Sequence, residues 1–594
     1  MSTPAENKGS LVTISVLNEG QQINSYIHIL SIRVRHEVNR VSSAVIELID
    51  GDISGQDFPV SNLPDFLPGK KITIQAGYNS VDAVIFDGII IRHSVKCKSD
   101  GFTLMTIECR NDAVKMTVGR KNAMYTDSTD SDLIGAVIGT YGMSPTIDAT
   151  SIRIKEVVQY YSTDWDFILS RAEANGMIVT TFGSDIHVVK PNLSATPILS
   201  VAFGDSIHEF DLDIDARYQY SSVKGVSWNQ ATQQVALQDG SAQSLNVQGN
   251  LSAGDLSTVI GLTSLVMQTD APTQEDTLKS WADAQLLKSE LSRIRGTISF
   301  QGNSLLMPGD MLEILGIGER FSGNAFVGSI THTIGDGEWA TEAGIGLSEA
   351  WFSERKNIAA PLATGLLPGI QGLHIGIVTQ LDQDPNGEYM VQVSLPIMQS
   401  KVNGVWARLN AFYHSNGFGS FFLPEISDEV IVGFLNNDPS HPVILGSVYS
   451  SKNKPPYEFT AENNIKAIVT RSKIRIEMDE DKKILTIQTP ANNKIVLNDD
   501  QKSILISDQN NNTIEMNTSG ISLDSPKDIV VSAKGKISLS ALNNIEINAK
   551  ANVDVSALNI SNNAQVGFTG KGNATAELSA AGQTTVKGAL VLIN

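Results

Sequence analysis

Cysteines, aromatic residues and long apolar runs are scarce in this sequence of 594 residues. The two cysteines, Cys97 and Cys109, are too few to staple a chain of this length, so we expect reduced thiols and synthesis in the cytoplasm. No run reaches the roughly 18 apolar residues that a membrane helix needs, and we therefore expect no stable membrane insertion. The first ten residues are polar and lack the apolar stretch of a signal peptide.

Basic residues are also few, with 44 Lys and Arg against 64 Asp and Glu and a net charge of −20. Because such a chain repels phosphate backbones, we expect no nucleic-acid partner. The imbalance lies within residues 1–459, since residues 460–594 hold 14 basic and 14 acidic residues. That last segment has no Trp, Tyr, His or Cys, and its only aromatic residue is Phe568. A different kind of structure is therefore predicted from about residue 460.

Alternating apolar residues between Gly, Asp, Asn and Pro turns predict a β-domain over residues 1–115. Two helical patterns follow, and in the second the Thr163-x-x-Asp166 motif precedes a stripe that begins at Trp165. The longest helix is predicted over 274–295, capped by Thr273 and stopped by Gly296. Strand patterns resume over 297–347.

Residues 373–456 read as a compact all-β unit with about five strands and an Asp-Pro-Asn-Gly turn at 384–387. That size and strand count predict a small closed barrel of the OB type. Its four Lys and Arg against seven Asp and Glu leave no basic groove, so binding of oligonucleotides is rejected.

An eight-residue repeat runs from Ile521 to Ala557, with two large apolar residues in each unit. These residues are Ile521, Leu523, Ile529, Val531, Ile537, Leu539, Ile545, Ile547, Val553 and Val555. Less regular units lie upstream, at Ile474/Ile476, Leu485/Ile487, Ile495/Leu497, Ile504/Ile506 and Ile514/Met516.

A strand of four or five residues followed by a three-residue turn cannot wrap a core of its own. Several chains must therefore wind together, and three chains form the simplest prism with an enclosed apolar axis. We predict that the ten apolar residues of the repeat line this trimer core. About sixteen strand layers at ~4.8 Å would build a shaft on the order of 80 Å.

A dense motif in the predicted barrel, together with several earlier stretches, matches one known family. The earlier stretches are 86–89, 160–167, 308–310, 332–334 and 339–341. The barrel motif consists of Trp406, Arg408, Pro424, Glu425, Asp428, Glu429, Gly433, Asp438, Pro442 and Gly446. With these residues the chain resembles the VgrG-type spikes of contractile injection systems, which join counterparts of the hub and needle of contractile-tailed phages. It is most similar to the extracellular particles of the anti-feeding-prophage kind.

The resemblance implies a mainly β fold with six parts. These are a hub β-barrel over 1–115, an α/β insertion over 116–195, a second hub barrel with the long helix over 196–350, a linker over 351–372, an OB-fold collar over 373–456 and an intertwined trimeric β-helix, or β-prism, over 457–594.

The implied function is mechanical and non-enzymatic. A homotrimer would join a hexameric inner tube to a needle, contact inner-tube and baseplate proteins through its hub, and puncture a target envelope when the sheath contracts. The particle would be assembled in the cytoplasm and delivered outside the cell or into a target. Relatives of this design carry a PAAR-repeat tip protein, and its expected docking surface is Leu590, Leu592, Ile593 and Asn594.

No catalytic, metal or cofactor site is expected. The acidic cluster over 127–132 lacks the Gly and the distal Glu of a calcium loop, and Gly417-x-Gly419 is too short to cradle a phosphate. Asp438 and His441 could pair, although a solvated turn is the expected interpretation. Two other functions stay open: a trimeric, tail-fibre-like glycan-binding protein, which would want exposed aromatics on the shaft, and a spike-borne glycan hydrolase with a carboxylate pair in the hub.

Overall fold

The computed structural model describes residues 2–4, 9–99, 101–241, 248–355, 357–399 and 404–593. The chain divides into two compact units, Met1–Val448 and Tyr449–Asn594, which are described separately below. Strands dominate the regular structure of the chain, so the predicted mainly β fold is confirmed.

The first unit contains 28 strands and four α-helices among its described residues. The strands are β1 Val12–Asn18, β2 Gln21–Gln22, β3 Ile29–Glu37, β4 Ser43–Ile49, β5 Lys71–Tyr78, β6 Val81–Cys97, β7 Thr103–Arg110, β8 Lys121–Thr129, β9 Ser144–Ile147, β10 Arg153–Ser162, β11 Ile178–Phe182, β12 Asp185–Val189, β13 Leu199–Ala202, β14 Ile207–Ile214, β15 Val223–Asn229, β16 Gln234–Asp239, β17 Leu265–Thr269, β18 Ile294–Gln301, β19 Met311–Leu315, β20 Gly323–Gly335, β21 Glu338–Ile345, β22 His374–Gln380, β23 Val391–Ser394, β24 Val405–Leu409, β25 His414–Ser415, β26 Phe418–Gly419, β27 Glu429–Phe434 and β28 Pro442–Ser447. The helices are α1 Asp130–Gly139, α2 Asp164–Ala174, α3 Ala253–Ile260 and α4 Glu275–Leu291. No helix in the described part of the chain is long and apolar enough to cross a membrane.

The two β regions predicted before residue 350 share one sheet of 13 strands. Its main path runs β14-β18-β21-β20-β3-β4-β7-β6-β5-β1-β2, and β19 and β13 branch from β20. The two halves meet where β20 pairs antiparallel with β3, for example at Ile330 and His36. Each half keeps its own apolar core, one around Phe86 and the other around Phe300.

Two buried histidines sit at this joint. The Nε2 atom of His36 donates to the carbonyl of Ile85 at 2.8 Å, and Nδ1 of His332 lies 2.9 Å from the hydroxyl of Thr341. The two rings meet edge to face with centroids 6.4 Å apart. Burial lowers the pKa of both histidines, that of His332 to about 3, so the joint closes with neutral imidazoles at physiological pH.

The α/β insertion follows the local signals in the sequence. Thr129 and Asp132 form a capping box at the start of α1, and the hydroxyl of Thr163 accepts from the Asp166 amide at the start of α2. Within the acidic cluster, the Asp130 carboxylate is bound by the Arg171 guanidinium at 2.6 and 2.8 Å. The cluster is therefore a helix start tied to α2.

The longest helix is shorter than predicted. The pattern over 274–295 becomes α4, Glu275–Leu291, and the predicted cap at Thr273 is wrong because that hydroxyl donates to a backbone carbonyl before the helix. Gly296 does not stop the helix either, since it lies within β18 at φ +142°. The carbonyl of Asp211 passes 1.9 Å from where a Cβ of Gly296 would stand, so this position excludes a side chain.

The predicted OB barrel is confirmed as a closed five-stranded barrel in the order β22-β23-β24-β28-β27. Its interior is aliphatic, with Val378, Val393, Val430 and Val432 all buried. The small ribbon β25–β26 forms a separate two-stranded sheet.

The second unit begins with an antiparallel meander of seven strands, each paired with the next. They are β29 Ile465–Val469, β30 Arg475–Asp479, β31 Ile484–Gln488, β32 Lys494–Asn498, β33 Ser503–Ser507, β34 Thr513–Asn517 and β35 Gly520–Asp524. Residues 525–593 carry neither helix nor strand in the described chain. The upstream apolar pair predicted at Ile474 and Ile476 is in fact Ile476 and Met478, because β30 begins only at Arg475.

Candidate functional site

One face of the seven-stranded sheet is apolar along two columns of side chains. Strand register places Ile468, Ile476, Ile487, Ile495, Ile506, Ile514 and Leu523 in the first column. The second column consists of Lys466, Met478, Leu485, Leu497, Ile504, Met516 and Ile521. We call these 14 residues the apolar ladder; Lys466, on the first strand, is its one charged member.

The apolar ladder is uncovered in the single chain. Leu497, in the middle of the sheet, is 38% exposed, and Ile521 on the last strand is 74% exposed. A contiguous, exposed apolar surface of this size marks an interaction surface on a protein in aqueous solution. A sheet with one apolar face needs another layer against it before its strands can be stable.

The opposite face of the same sheet is mainly polar. Its central column runs through Ala467, Glu477, Thr486, Val496, Leu505, Glu515 and Ser522. On this face Tyr457 donates a hydrogen bond to the Glu477 carboxylate, and Arg475 lies 3.4 Å from the same group. Burial, together with the hydrogen bond to Glu477, raises the pKa of Tyr457. Groups that are compatible with water therefore dominate this face of the sheet.

The turns between the strands fix which side chains share a face. Asp508 accepts hydrogen bonds from the side-chain and backbone nitrogens of Asn512, both at 2.9 Å, and these contacts lower the pKa of Asp508 to about 2. One residue in each of the first five turns adopts a left-handed conformation: Lys473, Lys483, Asn492, Lys502 and Asn511. Because a slip of one residue would invert every side chain, these turns hold the apolar ladder on one side.

The ten predicted core residues of the octad repeat fall in two groups. Ile521 and Leu523 lie in β35 and belong to the apolar ladder. The other eight lie beyond the last strand and are exposed in the single chain: Ile529, Val531, Ile537, Leu539, Ile545, Ile547, Val553 and Val555. Their role in a trimer core stays a prediction. Of the predicted tip surface, Leu590, Leu592 and Ile593 are exposed, and Asn594 lies outside the described residues.

The barrel motif gathers on three neighbouring strands and their turns. Trp406 and Arg408 lie in β24, Glu429 and Gly433 in β27, Pro442 and Gly446 in β28, and Pro424, Glu425, Asp428 and Asp438 in the connecting segments. In the turn before β27, the amide of Glu425 donates to the Asp428 carboxylate at 2.9 Å, and the amide of Asp428 donates back to the Glu425 carbonyl at 3.0 Å. Within the motif, Glu425 and Asp428 thus hold the turn before β27 in place.

Asp438 and His441 do pair, with Nδ1 of His441 3.2 Å from the carboxylate. The amide of Ser440 also donates to Asp438 at 2.8 Å. These contacts lower the pKa of Asp438, the backbone hydrogen bond most of all. Since the imidazole is largely exposed, the predicted solvated turn and the pair occur together.

Exposed aromatic residues around the β25–β26 ribbon were not predicted as a site. Phe412, Phe421 and Phe422 present most of their surface to solvent, Phe412 nearly all of it. The sequence signal is the concentration of five aromatic residues within positions 412–422. In the part of the chain that the structure describes, no group of three His, Cys, Asp or Glu side chains is arranged to hold a metal ion.

The described chain combines a large β region that holds an α/β insertion, an OB barrel and a terminal segment rich in repeats. The chain belongs to the family described as the Alg8 N-terminal domain, which matches residues 8–336. Residues 374–449 match the type VI secretion system/phage-baseplate injector OB domain. The chain is similar to VgrG-type spike proteins.

Individual VgrG proteins are also similar to this chain. The spike protein VgrG1b of Pseudomonas aeruginosa is 23% identical over 469 residues, which is 74% of this chain and 60% of the relative. The chain therefore spans less than two thirds of that relative. The actin cross-linking toxin VgrG1 of Vibrio cholerae is 42% identical over 52 residues, 9% of this chain and 5% of the toxin.

Two solved structures are also similar. The 43 kDa tail protein of prophage MuSo2 from Shewanella oneidensis aligns over 57% of this chain and 98% of its own, with 10% identity and a TM-score of 0.43. The E. coli c3393 protein, described as a type VI secretion component, aligns over 73% of this chain and 99% of its own, with 13% identity and a TM-score of 0.35.

Proposed function

We propose that the protein is the homotrimeric central spike of its injection system, with the first 350 residues contacting inner-tube and baseplate proteins. Its terminal unit would form a needle that punctures the target envelope when the sheath contracts. The observation that carries the proposal is the uncovered apolar ladder, which a single chain leaves in water. Three copies facing one another would remove it from solvent.

Three copies fit the ladder better than two. Each strand of the meander has only five residues, so each sheet offers a narrow face with two apolar columns. Two such sheets would form a sandwich whose edges stay open, whereas three faces are the fewest that close a prism. In such a prism the apolar face of each sheet is covered by the other two sheets.

Up to β35 the strands pair within their own chain. Beyond β35, strands of the three chains would pair with one another. Residues 525–593 have no strand partner within their own described chain, although the apolar pairs continue at eight-residue spacing. Backbone groups of these short segments can then be satisfied by neighbouring chains on both sides. This supports an intertwined β-helix below the meander.

At the far end we propose that Leu590, Leu592, Ile593 and Asn594 receive a PAAR-repeat tip protein. The first three residues are exposed in the single chain, as expected for a surface that a partner covers. The proposed role is non-enzymatic and needs no cofactor. A glycan-binding shaft is not favoured, because Phe568 is the only aromatic residue in 460–594.

Negative-stain electron microscopy of the purified full chain tests this function. The expected particle has a broad body and one straight shaft on the order of 80 Å, as about sixteen strand layers would give. Particles without a shaft would contradict the needle.

The same preparation distinguishes the hydrolase alternative. A peptidoglycan suspension should keep its turbidity when the protein is added, with lysozyme as the positive control. Clearing by the protein would establish a glycan-hydrolase activity and overturn the non-enzymatic role.

A further inference from the structure

An arginine-lined cleft of about 590 Å³ opens between the first β region, the start of α2 and the segment Phe352–Glu354. Four guanidinium groups line it, from Arg35, Arg40, Arg110 and Arg355. It lies outside the apolar ladder and outside the OB barrel, and none of the functions discussed above uses it.

Strand register explains why two of these arginines lie together. Arg35 of β3 pairs directly with Ser43 of β4, and Ser43 pairs directly with Arg110 of β7. The three residues form one row across adjacent strands on the outer face of the sheet, roughly 5 Å from neighbour to neighbour. The small Ser43 in the middle leaves room between the two long basic side chains.

The charge of the cleft is positive although the chain is acidic. Its lining includes two carboxylates, Glu37 and Asp166, against the four arginines. Glu37 binds Arg35 and Arg40, each at 2.8 Å. The lining therefore keeps a net charge of about +2 in a protein whose net charge is −20.

The remaining two arginines are differently placed. Arg110 contacts Glu108 at 2.8 Å, a carboxylate beyond the lining, through one of its nitrogens. The Arg355 guanidinium lines the cleft and stands 4.9 Å from the centroid of the Phe352 ring. Arg355 therefore offers its hydrogen-bond donors to the cleft.

Apolar walls strengthen the field of these charges. Trp165 and Phe352 are both buried where they meet the cleft. A concave site with low-dielectric walls and charge of one sign concentrates the opposite charge. Guanidinium forks match carboxylates in geometry, and arginines set on separate elements can engage several carboxylates of one extended segment.

We propose that this cleft binds an acidic peptide segment of a partner protein. The volume suits a short stretch of peptide, since pockets for ligands of this scale span about 300–1,000 Å³. Arg35 and Arg110, two strands apart, are spaced to contact different carboxylates of one chain. A single small anion would engage only part of the row.

The test uses the full-length protein and a fluorescein-labelled peptide of eight glutamates, followed by fluorescence anisotropy. We expect saturable binding that weakens as salt is raised. Arg355→Gln should weaken it at least about tenfold, the loss expected for a charge-assisted contact. Arg153→Gln is the matched control, an exposed arginine that pairs with Asp127 at 3.4 Å outside the cleft, and it should bind as the wild type does.

Arg35→Gln provides a second variant if Arg355→Gln does not fold, and it should also weaken binding. Absence of binding to the wild type, or equal affinity in all variants, would overturn the proposal. Inorganic pyrophosphate is the competitor: if it displaces the peptide at equal or lower concentration, the cleft is a small-anion site and the peptide assignment is wrong.

Discussion

Leu497→Asp should abolish the trimer, leaving less than a tenth of the protein in trimeric form by light scattering. Leu497 lies in the middle of the apolar ladder, with Leu485 and Ile504 directly beside it on the neighbouring strands. In the proposed prism the substitution brings three carboxylates to one enclosed axis with no cationic partner. Each uncompensated buried charge costs several kcal/mol, which outweighs the apolar contacts of one strand layer.

Asn498→Asp is the matched control on the adjacent residue. It introduces the same charge on the same strand, but position 498 faces the outer side, where its side-chain oxygen accepts from the Gln501 amide at 2.9 Å. A carboxylate can accept the same hydrogen bond, so the trimer should form at wild-type yield. If Leu497→Asp assembles as well as Asn498→Asp, the apolar ladder does not face the axis.

Leu539→Asp should remove the order of the terminal segment in the assembled protein. We expect backbone amides over 525–557 of the wild type to exchange at least about 100-fold more slowly than coil, because strands from neighbouring chains hold them. The variant places three carboxylates in one octad layer, and this protection should disappear. Hydrogen exchange read by mass spectrometry measures the difference.

Ser538→Asp serves as the control, because it adds a charge at the neighbouring position that alternation points outward. It should retain the protection of the wild type. If the backbone amides of residues 525–557 exchange as fast as coil in the unmodified protein, the repeat is unstructured, which would contradict the β-helix. Equal loss in both variants would show that the two faces of the repeat are not distinguished.

The parts of the fold that sequence predicted well depend on local signals. The OB barrel follows from alternation and turn residues, and α2 follows from Thr163 and the apolar stripe behind it. The end of α4 was missed because Gly296 is explained by a distant contact, the close approach of Asp211. The residues that flank Gly296 in the sequence give no indication of such a contact.

For the terminal unit, the intertwined β-helix over 457–594 stays a prediction, and residues 465–524 pair their strands within one chain. Alternation placed the large apolar residues on one face, yet it does not say whether strands pair within a chain or between chains. The antiparallel turns depend on left-handed backbone at residues such as Lys473 and Lys483, which carry no turn signal of the kind that Gly or Asn-Gly provides. The upstream units, whose spacing is less regular than eight residues, therefore fold as an antiparallel meander.

The arginine-lined cleft could not be predicted from the composition of the chain. Arg35, Arg110 and Arg355 are far apart in sequence, and an overall charge of −20 hides a local positive site. Only the pairing of β3 with β4 and of β4 with β7 brings the first two into one row.

The mass of the intact protein in solution tests the central claim most directly. Size-exclusion chromatography with multi-angle light scattering should give a single species at three times the chain mass of 63.9 kDa. A folded, monodisperse species at 63.9 kDa would mean that one chain tolerates its uncovered apolar ladder in water, and the trimeric spike would have to be abandoned.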